Sequence, residues 1–207
     1  AKKYREGCGL YFPYLQPPLA LRVFHDSSHA TKTTSYAQEA VLVLLTTDYD
    51  ISLPSQDHKL PDSQVSALSG GCHAVATISR KAKRVSYGTS QAETGAAIVG
   101  KELGQMVALR YTEVLSYRHF TLPAMIAVQE TNAFVFPIDQ LTDCQDLFEN
   151  AAGEKTLPQD KTHRLYILSL REERLTHGMR YWIKIPTEWM LCDAMTKSMI
   201  VQPLLNL

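Results

Sequence analysis

The order of the apolar segments constrains this chain more than any single residue. Three strand-like runs come in succession, Leu19 to His25, Ala40 to Thr46 and His73 to Ser79, before any helical period begins. The middle run, Ala-Val-Leu-Val-Leu-Leu-Thr, is short and solidly apolar, which reads as a strand buried on both faces. The clearest helix starts at Thr89. Ser90 followed by Glu93 fits a capping box, and apolar positions from Ala97 to Leu115 recur at helical spacing. Strand and helix then alternate. Ile138 to Thr142 reads as a strand, Cys144 to Ala152 and Asp160 to His177 as helices closed by Gly153 and Gly178, Tyr181 to Ile185 as a strand, and Leu191 to Met199 as a last helix. Successive strands favour antiparallel pairing, and the later alternation favours parallel pairing. The expected fold is therefore α/β, a mixed five-stranded sheet flanked by helices. Residues 19–207 form that domain, with a long loop from Thr47 to Gly71, and residues 1–18 read as a connector.

Composition narrows the function classes. Lys and Arg number 21, as do Asp and Glu, so the formal charge is zero and a globally basic nucleic-acid binder is excluded. A local basic patch is not. The 45% hydrophobic content belongs to a folded chain. No apolar run approaches the ~20 residues of a membrane span. The polar start carries no signal-peptide core, and the missing initiator Met reads as a piece of a longer chain. Cys8, Cys72, Cys144 and Cys192 are scattered without zinc-ligand spacing, which predicts reduced, mostly buried thiols in a reducing intracellular compartment.

Four acids fall at element ends. Asp26 closes the first strand, Glu93 lies in the first turn of the long helix, Asp143 follows the fourth strand, and Asp193 opens the last helix. If the first and fourth strands are neighbours, Asp26 and Asp143 emerge side by side. Crowded carboxylates repel, and a divalent cation removes that penalty; hard oxygen donors select Mg²⁺ or Mn²⁺. Two ions roughly 3.5–4 Å apart suit phosphodiester hydrolysis. Each acid also has a plainer explanation: Asp26 as a turn residue, Glu93 as the capping-box partner, Asp143 and Asp193 as helix caps. Asp139, Asp146 and Glu188 are local rivals.

Longer motifs weigh between these readings. Phe24-His25-Asp26-Ser27-Ser28-His29-Ala30 resembles the "D-A-S-x-A" opening of the ribonuclease H domain in copia-type retrotransposon polyproteins. Ile78 to Ser86 resembles that family's "S-x-K-x-x-x-V-x-x-S", and Ser90-Gln91-Ala92-Glu93 its "S-T-x-A-E". Leu141 to Leu147 is similar to "x-T-D-S-x-S-L", and Trp182 to Lys197 to "W-I-P-x-x-x-x-x-A-D-x-L-T-K". The motifs stand in the family's order across most of the chain. The resemblance implies a ribonuclease H fold and endonucleolytic cleavage of RNA in an RNA–DNA hybrid, leaving 3′-hydroxyl and 5′-phosphate ends. It implies that Asp26 bridges two Mg²⁺ ions, that Glu93 and Asp143 complete one shell, and that Asp193 holds the other ion. It makes residues 1–18 the connection from an upstream reverse transcriptase.

Arg80, Lys81, Lys83 and Arg84 form a basic turn suited to tracking a hybrid's phosphates, or to plain solvation. Ser27, Ser28, Thr89 and Ser90 are suitable donors to 2′-hydroxyls and backbone. Tyr181 and Trp189 are candidates for stacking, while Trp182 reads as core. His29 and His163 read as surface residues that are able to approach the acids. Cys144 and Cys192 stand where the family carries small residues. Two other readings remain open at this point. One is a catalytically silent domain captured as a structural or RNA-binding subunit of a larger ribonucleoprotein assembly. The other is a different enzyme of the same fold, such as a strand transferase or resolvase.

Overall fold

In the computed structural model, residues 12–28, 36–48, 57–59, 70–83 and 85–196 are described. The strands are β1 (Leu19–Ser28), β2 (Gln38–Thr47), β3 (Asp57–Lys59), β4 (Cys72–Lys81), β5 (Ile138–Thr142) and β6 (Tyr181–Lys184). The helices are α1 (Thr89–Leu115), α2 (Leu122–Thr131), α3 (Gln145–Ala152), α4 (Lys161–Leu175) and α5 (Asp193–Thr196). A single turn of 3₁₀ helix, Thr187–Trp189, precedes α5.

The sheet runs β3-β6-β5-β1-β2-β4. β2 is antiparallel to both β1 and β4, while β5 is parallel to β1 and β6. This is the expected mixed sheet flanked by helices, with all five predicted strands in it. The addition is β3, three residues beside β6 inside the segment expected to be loop. β1 and β2 lie inside the sheet and are buried along nearly all of their length, because both faces are covered.

Alternation along each strand sorts the core into two layers. Leu21, Val23, Val41, Val43 and Ile138 face α1. Phe24, Leu42, Leu44, Leu141 and Ile183 face the C-terminal segment, which contributes Met190 and Cys192. A third cluster, including Ala97, Leu147, Phe148, Ile167, Leu170 and Trp182, joins α1, α3 and α4 over β6. α1 crosses β1 closely at two glycines one turn apart. A Cβ at Gly100 would fall 3.2 Å from Val23 Cγ1, and one at Gly104 only 2.8 Å from Val23 Cγ2.

Several local expectations are corrected. The capping box does not form: the N-cap of α1 is Gly88, with no side-chain cap, and Ser90 lies inside the helix. α4 ends at Leu175, and His177 rather than Gly178 takes the left-handed conformation. Arg80 and Lys81 belong to β4 rather than to a turn. α2 is an addition that periodicity does not predict, because it is apolar all round and buries no residue, so it has no helical stripe to read. The last predicted helix contributes Asp193–Thr196; residues 197–199 lie outside the described residues. The described part of the predicted connector packs on the body: Leu15 is buried, and the Pro13 carbonyl oxygen lies 2.7 Å from His73 Nε2.

One ion network ties three segments at the N-terminal end of β5. Arg180 forms a fork on Asp139, at 2.8 and 2.6 Å, and a second on Asp48, at 2.5 and 2.9 Å. Asp139 is 2% exposed, and burial pushes its carboxyl above the usual range against the pull of Arg180 and Arg22. Removing one partner of a buried pair strands the other charge. Arg180→Ala should therefore lower stability by about 3 kcal/mol in urea denaturation, and Arg180→Lys should restore only part, because an ammonium cannot make the fork.

Candidate functional site

β1 and β5 run side by side in parallel, with Leu21 opposite Ile138 and Phe24 opposite Leu141. The pairing ends there; Asp26 follows two residues later, still within β1, and Asp143 two residues later, one residue past the end of β5. Phe24 and Leu141 share one layer of the core, and alternation along β1 puts Asp26 on that same side of its strand. The arginine network at Asp139 lies four residues back, about 13 Å along the strand at ~3.3 Å per residue. No guanidinium of that network stands between the two acids.

The plainer explanations for Asp26, Glu93 and Asp143 do not hold, while Asp193 stands at a helix start as that reading had it. Asp26 is inside β1, 2% exposed, and not in a turn. Glu93 is the fifth residue of α1, buried, and no partner in a capping box. The N-cap of α3 is Cys144 rather than Asp143, which is half-buried. Asp193 is buried at the start of α5.

Two thiols report the field of this group. Burial first, then the charge of Asp26, pushes the Cys192 thiol well above its ordinary range, and Asp193 and Asp143 add to the shift. Burial first pushes the Cys144 thiol up to about 11, with Glu93, Asp146 and Asp143 adding and the Leu147 N–H opposing. Both sulfurs stay protonated at neutral pH. Each of the four predicted acids thus acts on one of these sulfurs, and Asp143 acts on both.

Polar ties hold the elements that carry the acids. The Ser90 hydroxyl donates to Asp146 Oδ2, and Lys155 reaches the same carboxylate at 2.7 Å. Thr94 Oγ1 lies 3.0 Å from His163 Nε2, and the Asp160 side chain caps α4 through the His163 N–H at 2.7 Å. Glu93 is bracketed by Ser90 and Thr94, and Asp146 is one turn beyond Asp143, so these bonds join α1 to α3 and α4 beside both acids. His163 is buried and engaged, not a surface residue, and burial lowers its proton affinity. On the face of β1 turned away from α1, the Thr196 hydroxyl donates to Asp26 Oδ2.

The donor set is all carboxylate, which matches a hard divalent cation in chemistry. Its spacing is open: among the described residues no three His, Cys, Asp or Glu side chains close into a group that could hold a metal ion. Among those residues, too, no helix is long and apolar enough to cross a membrane.

The predicted substrate residues are scattered in character. Ser27 is buried on the α1 side of β1, whereas Ser28 is half-buried and Thr89 exposed. Arg80 pairs with Glu39 at 2.5 Å, and Lys81 Nζ sits 4.2 Å from the centre of the Tyr36 ring. Lys83 is exposed; Arg84 and His29 lie outside the described residues. Trp182 is fully buried, while Trp189 is 42% exposed. The bonds of Asp146, Thr94 and Thr196 go beyond what the sequence predicts. Only Thr196 has a sequence signal, its place in the stretch that ends at Lys197.

No protein-family model matches the sequence, and no curated protein matches it. Two solved structures are similar in shape. One is the N-terminal ribonuclease H domain of a Mycobacterium tuberculosis protein, solved as a fusion with maltose-binding protein, with 11% identity and a TM-score of 0.47 over 91% of this chain and 98% of that one. The other is LC11-RNase H1, isolated from compost by a metagenomic approach, with 13% identity and a TM-score of 0.49 over 89% of this chain and 98% of that one.

Beneath Asp26, the next-door side chain His25 faces the opposite layer. It is completely buried and stacked on Trp182, with centroids 5.8 Å apart and planes at 17°. Among the described residues neither ring nitrogen has a hydrogen-bond partner. Burial lowers its pKa from 6.5 to about 3. The unfolded chain takes up this proton near pH 6.5, and the folded chain refuses it until about pH 3. Stability is therefore whole above pH 6.5 and falls by about 1.4 kcal/mol per unit as the pH drops towards 3. His25→Phe, which keeps the stack, should flatten that acid slope by about one proton, read from urea midpoints between pH 7 and 4.5.

Proposed function

We propose that this chain is a ribonuclease H-like domain that cleaves the RNA strand of RNA–DNA hybrids with the help of divalent metal ions, and that it derives from a copia-type retroelement. The observation that supports the reading best is the parallel pairing of β1 with β5, in which Phe24 and Leu141, each two residues before an acid of the motifs, are partners. The ordered motifs from Phe24 to Lys197 support it, since they single out the same acids independently of the register.

In this reading Asp26, Glu93, Asp143 and Asp193 hold Mg²⁺ or Mn²⁺. A bound cation supplies Lewis-acid polarisation of the scissile phosphate and a lowered pKa for the attacking water. The chain's own work is to keep several carboxylates ionised and oriented at one edge. Buried carboxylates resist ionisation unless donors or cations offset the desolvation, and the Thr196 hydroxyl is one such donor for Asp26. The hybrid would be gripped through its backbone. Ser28 and Thr89 are placed near the acids in sequence, and Lys83, Arg84 and the exposed edge of β4 offer cations. Backbone contacts carry little sequence information, so weak sequence preference is expected. An upstream reverse transcriptase joined through residues 1–18 would add further grip on the hybrid.

The test is cleavage of a labelled hybrid by the purified chain in Mg²⁺ or Mn²⁺. The wild type should release products with 3′-hydroxyl ends. Asp143→Asn should lower the rate by more than about 100-fold while hybrid binding and the melting temperature stay close to wild type. A wild type that binds the hybrid but never cuts it in either metal would leave a scaffold role instead. Separately, Lys83→Ala with Arg84→Ala should reduce the slope of log K against log salt by about 0.9 for each phosphate no longer neutralised, measured by fluorescence anisotropy.

A further inference from the structure

α5 is too short to be stable alone, since isolated helices below ~12 residues are marginal. Its place is set by what it touches. Met190 and Cys192, just before it, are buried among Phe24, Leu42 and Leu141. The Ser79 hydroxyl of β4 donates to the Met195 carbonyl at 2.9 Å. Thr77 Oγ1 lies 3.8 Å from Met195 Sδ. The Thr196 hydroxyl donates to Asp26 Oδ2 and also lies 3.3 Å from the Asp193 carbonyl oxygen. One hydroxyl thus links the carboxylate of Asp26 on β1 to the main chain of α5 at Asp193.

We propose that Thr196 is a positioning residue: its hydroxyl fixes the Asp26 carboxylate and couples that orientation to the seating of α5, so Asp26 and Asp193 are presented together or not at all. The inference rests on the metal-dependent reading of the same acids and deepens it. A hydroxyl has one proton to give, and the carboxylate is the stronger acceptor. Giving it to Oδ2 holds the side-chain torsion of Asp26 and leaves Oδ1 outside this bond. Loss of the donor would loosen the torsion on β1 and remove a polar tie on α5, beside the one from Ser79. Partners that orient a ligand in this way are commonly worth 10–100-fold in metal affinity.

Thr196→Ala and Thr196→Ser both remove the γ-methyl and differ in the hydroxyl alone. Binding of Tb³⁺ to the full chain, read by luminescence sensitised by the aromatic residues, should weaken about 10–100-fold in the alanine variant and stay within about threefold of wild type in the serine variant. On labelled hybrid, the alanine variant should lose kcat with little change in KM. Equal Tb³⁺ affinity in the alanine variant and wild type overturns the role of Thr196. If the alanine variant melts far below wild type, Ser79→Ala provides the second arm. It leaves the Thr196–Asp26 bond in place but loosens α5, and should weaken Tb³⁺ several-fold; unchanged affinity overturns the coupling. Asp26→Asn separates the two levels. Tb³⁺ binding lost there but kept in Thr196→Ala overturns only the positioning role. Wild type and Asp26→Asn that bind Tb³⁺ equally overturn the metal reading of Asp26, and this inference with it.

Discussion

The parallel pairing of β1 with β5 is the constraint on which the rest depends. Phe24 opposite Leu141 packs both side chains into the layer under the C-terminal segment, each two residues before an acid of the motifs. A slip of one residue would turn both strands' apolar sets to the wrong layers. The register is therefore held by core packing on both faces, and the position of the acids follows from it. α1 is held to the same strand by Gly100 and Gly104, where the backbone approaches Val23 too closely for a side chain. Glu93, two turns before Gly100, is placed by that approach.

Charge is segregated along the sheet. Arginine and aspartate are paired at the N-terminal end of β5, where Arg180 joins Asp139 and Asp48. Asp26 lies towards the other end of β1, four residues beyond Arg22, the partner of Asp139 in the pairing with β5. The arginine–aspartate pairing stabilises the fold, because breaking it would leave a buried charge. Hydrogen bonds from Ser90 to Asp146 and from Thr196 to Asp26 hold the acidic end together. Cys144 and Cys192 fill space there as neutral thiols.

The core itself carries polar groups that a stability-optimised interior would lack. His25 and Trp182 stack with no hydrogen-bond partner for their ring nitrogens among the described residues. Gln140 donates to the Ala97 carbonyl at 2.8 Å. These groups sit directly behind Asp26 and Asp143, on the α1 side, and they tie β1, β5, β6 and α1 into one layer under the acidic edge.

By itself the sequence determined most of the elements and their order, and it proposed the chemistry-bearing residues. Periodicity placed five strands and the long helix, because burial on one or two faces leaves a local pattern of apolar spacing. Asp26, Glu93, Asp143 and Asp193 were legible from motif order, which is also local. Tertiary structure alone decided which strands are neighbours, that Ser27 is buried, and that Arg80 is tied to Glu39. It also decided that Ser90 bonds Asp146 instead of capping its helix. The reason is physical: hydrogen bonds and burial between segments far apart along the chain leave no trace in local spacing, since either partner alone is an ordinary polar residue. α2 shows the converse limit. A helix that buries nothing has no stripe, so neither its existence nor its apolar surface is written in a period.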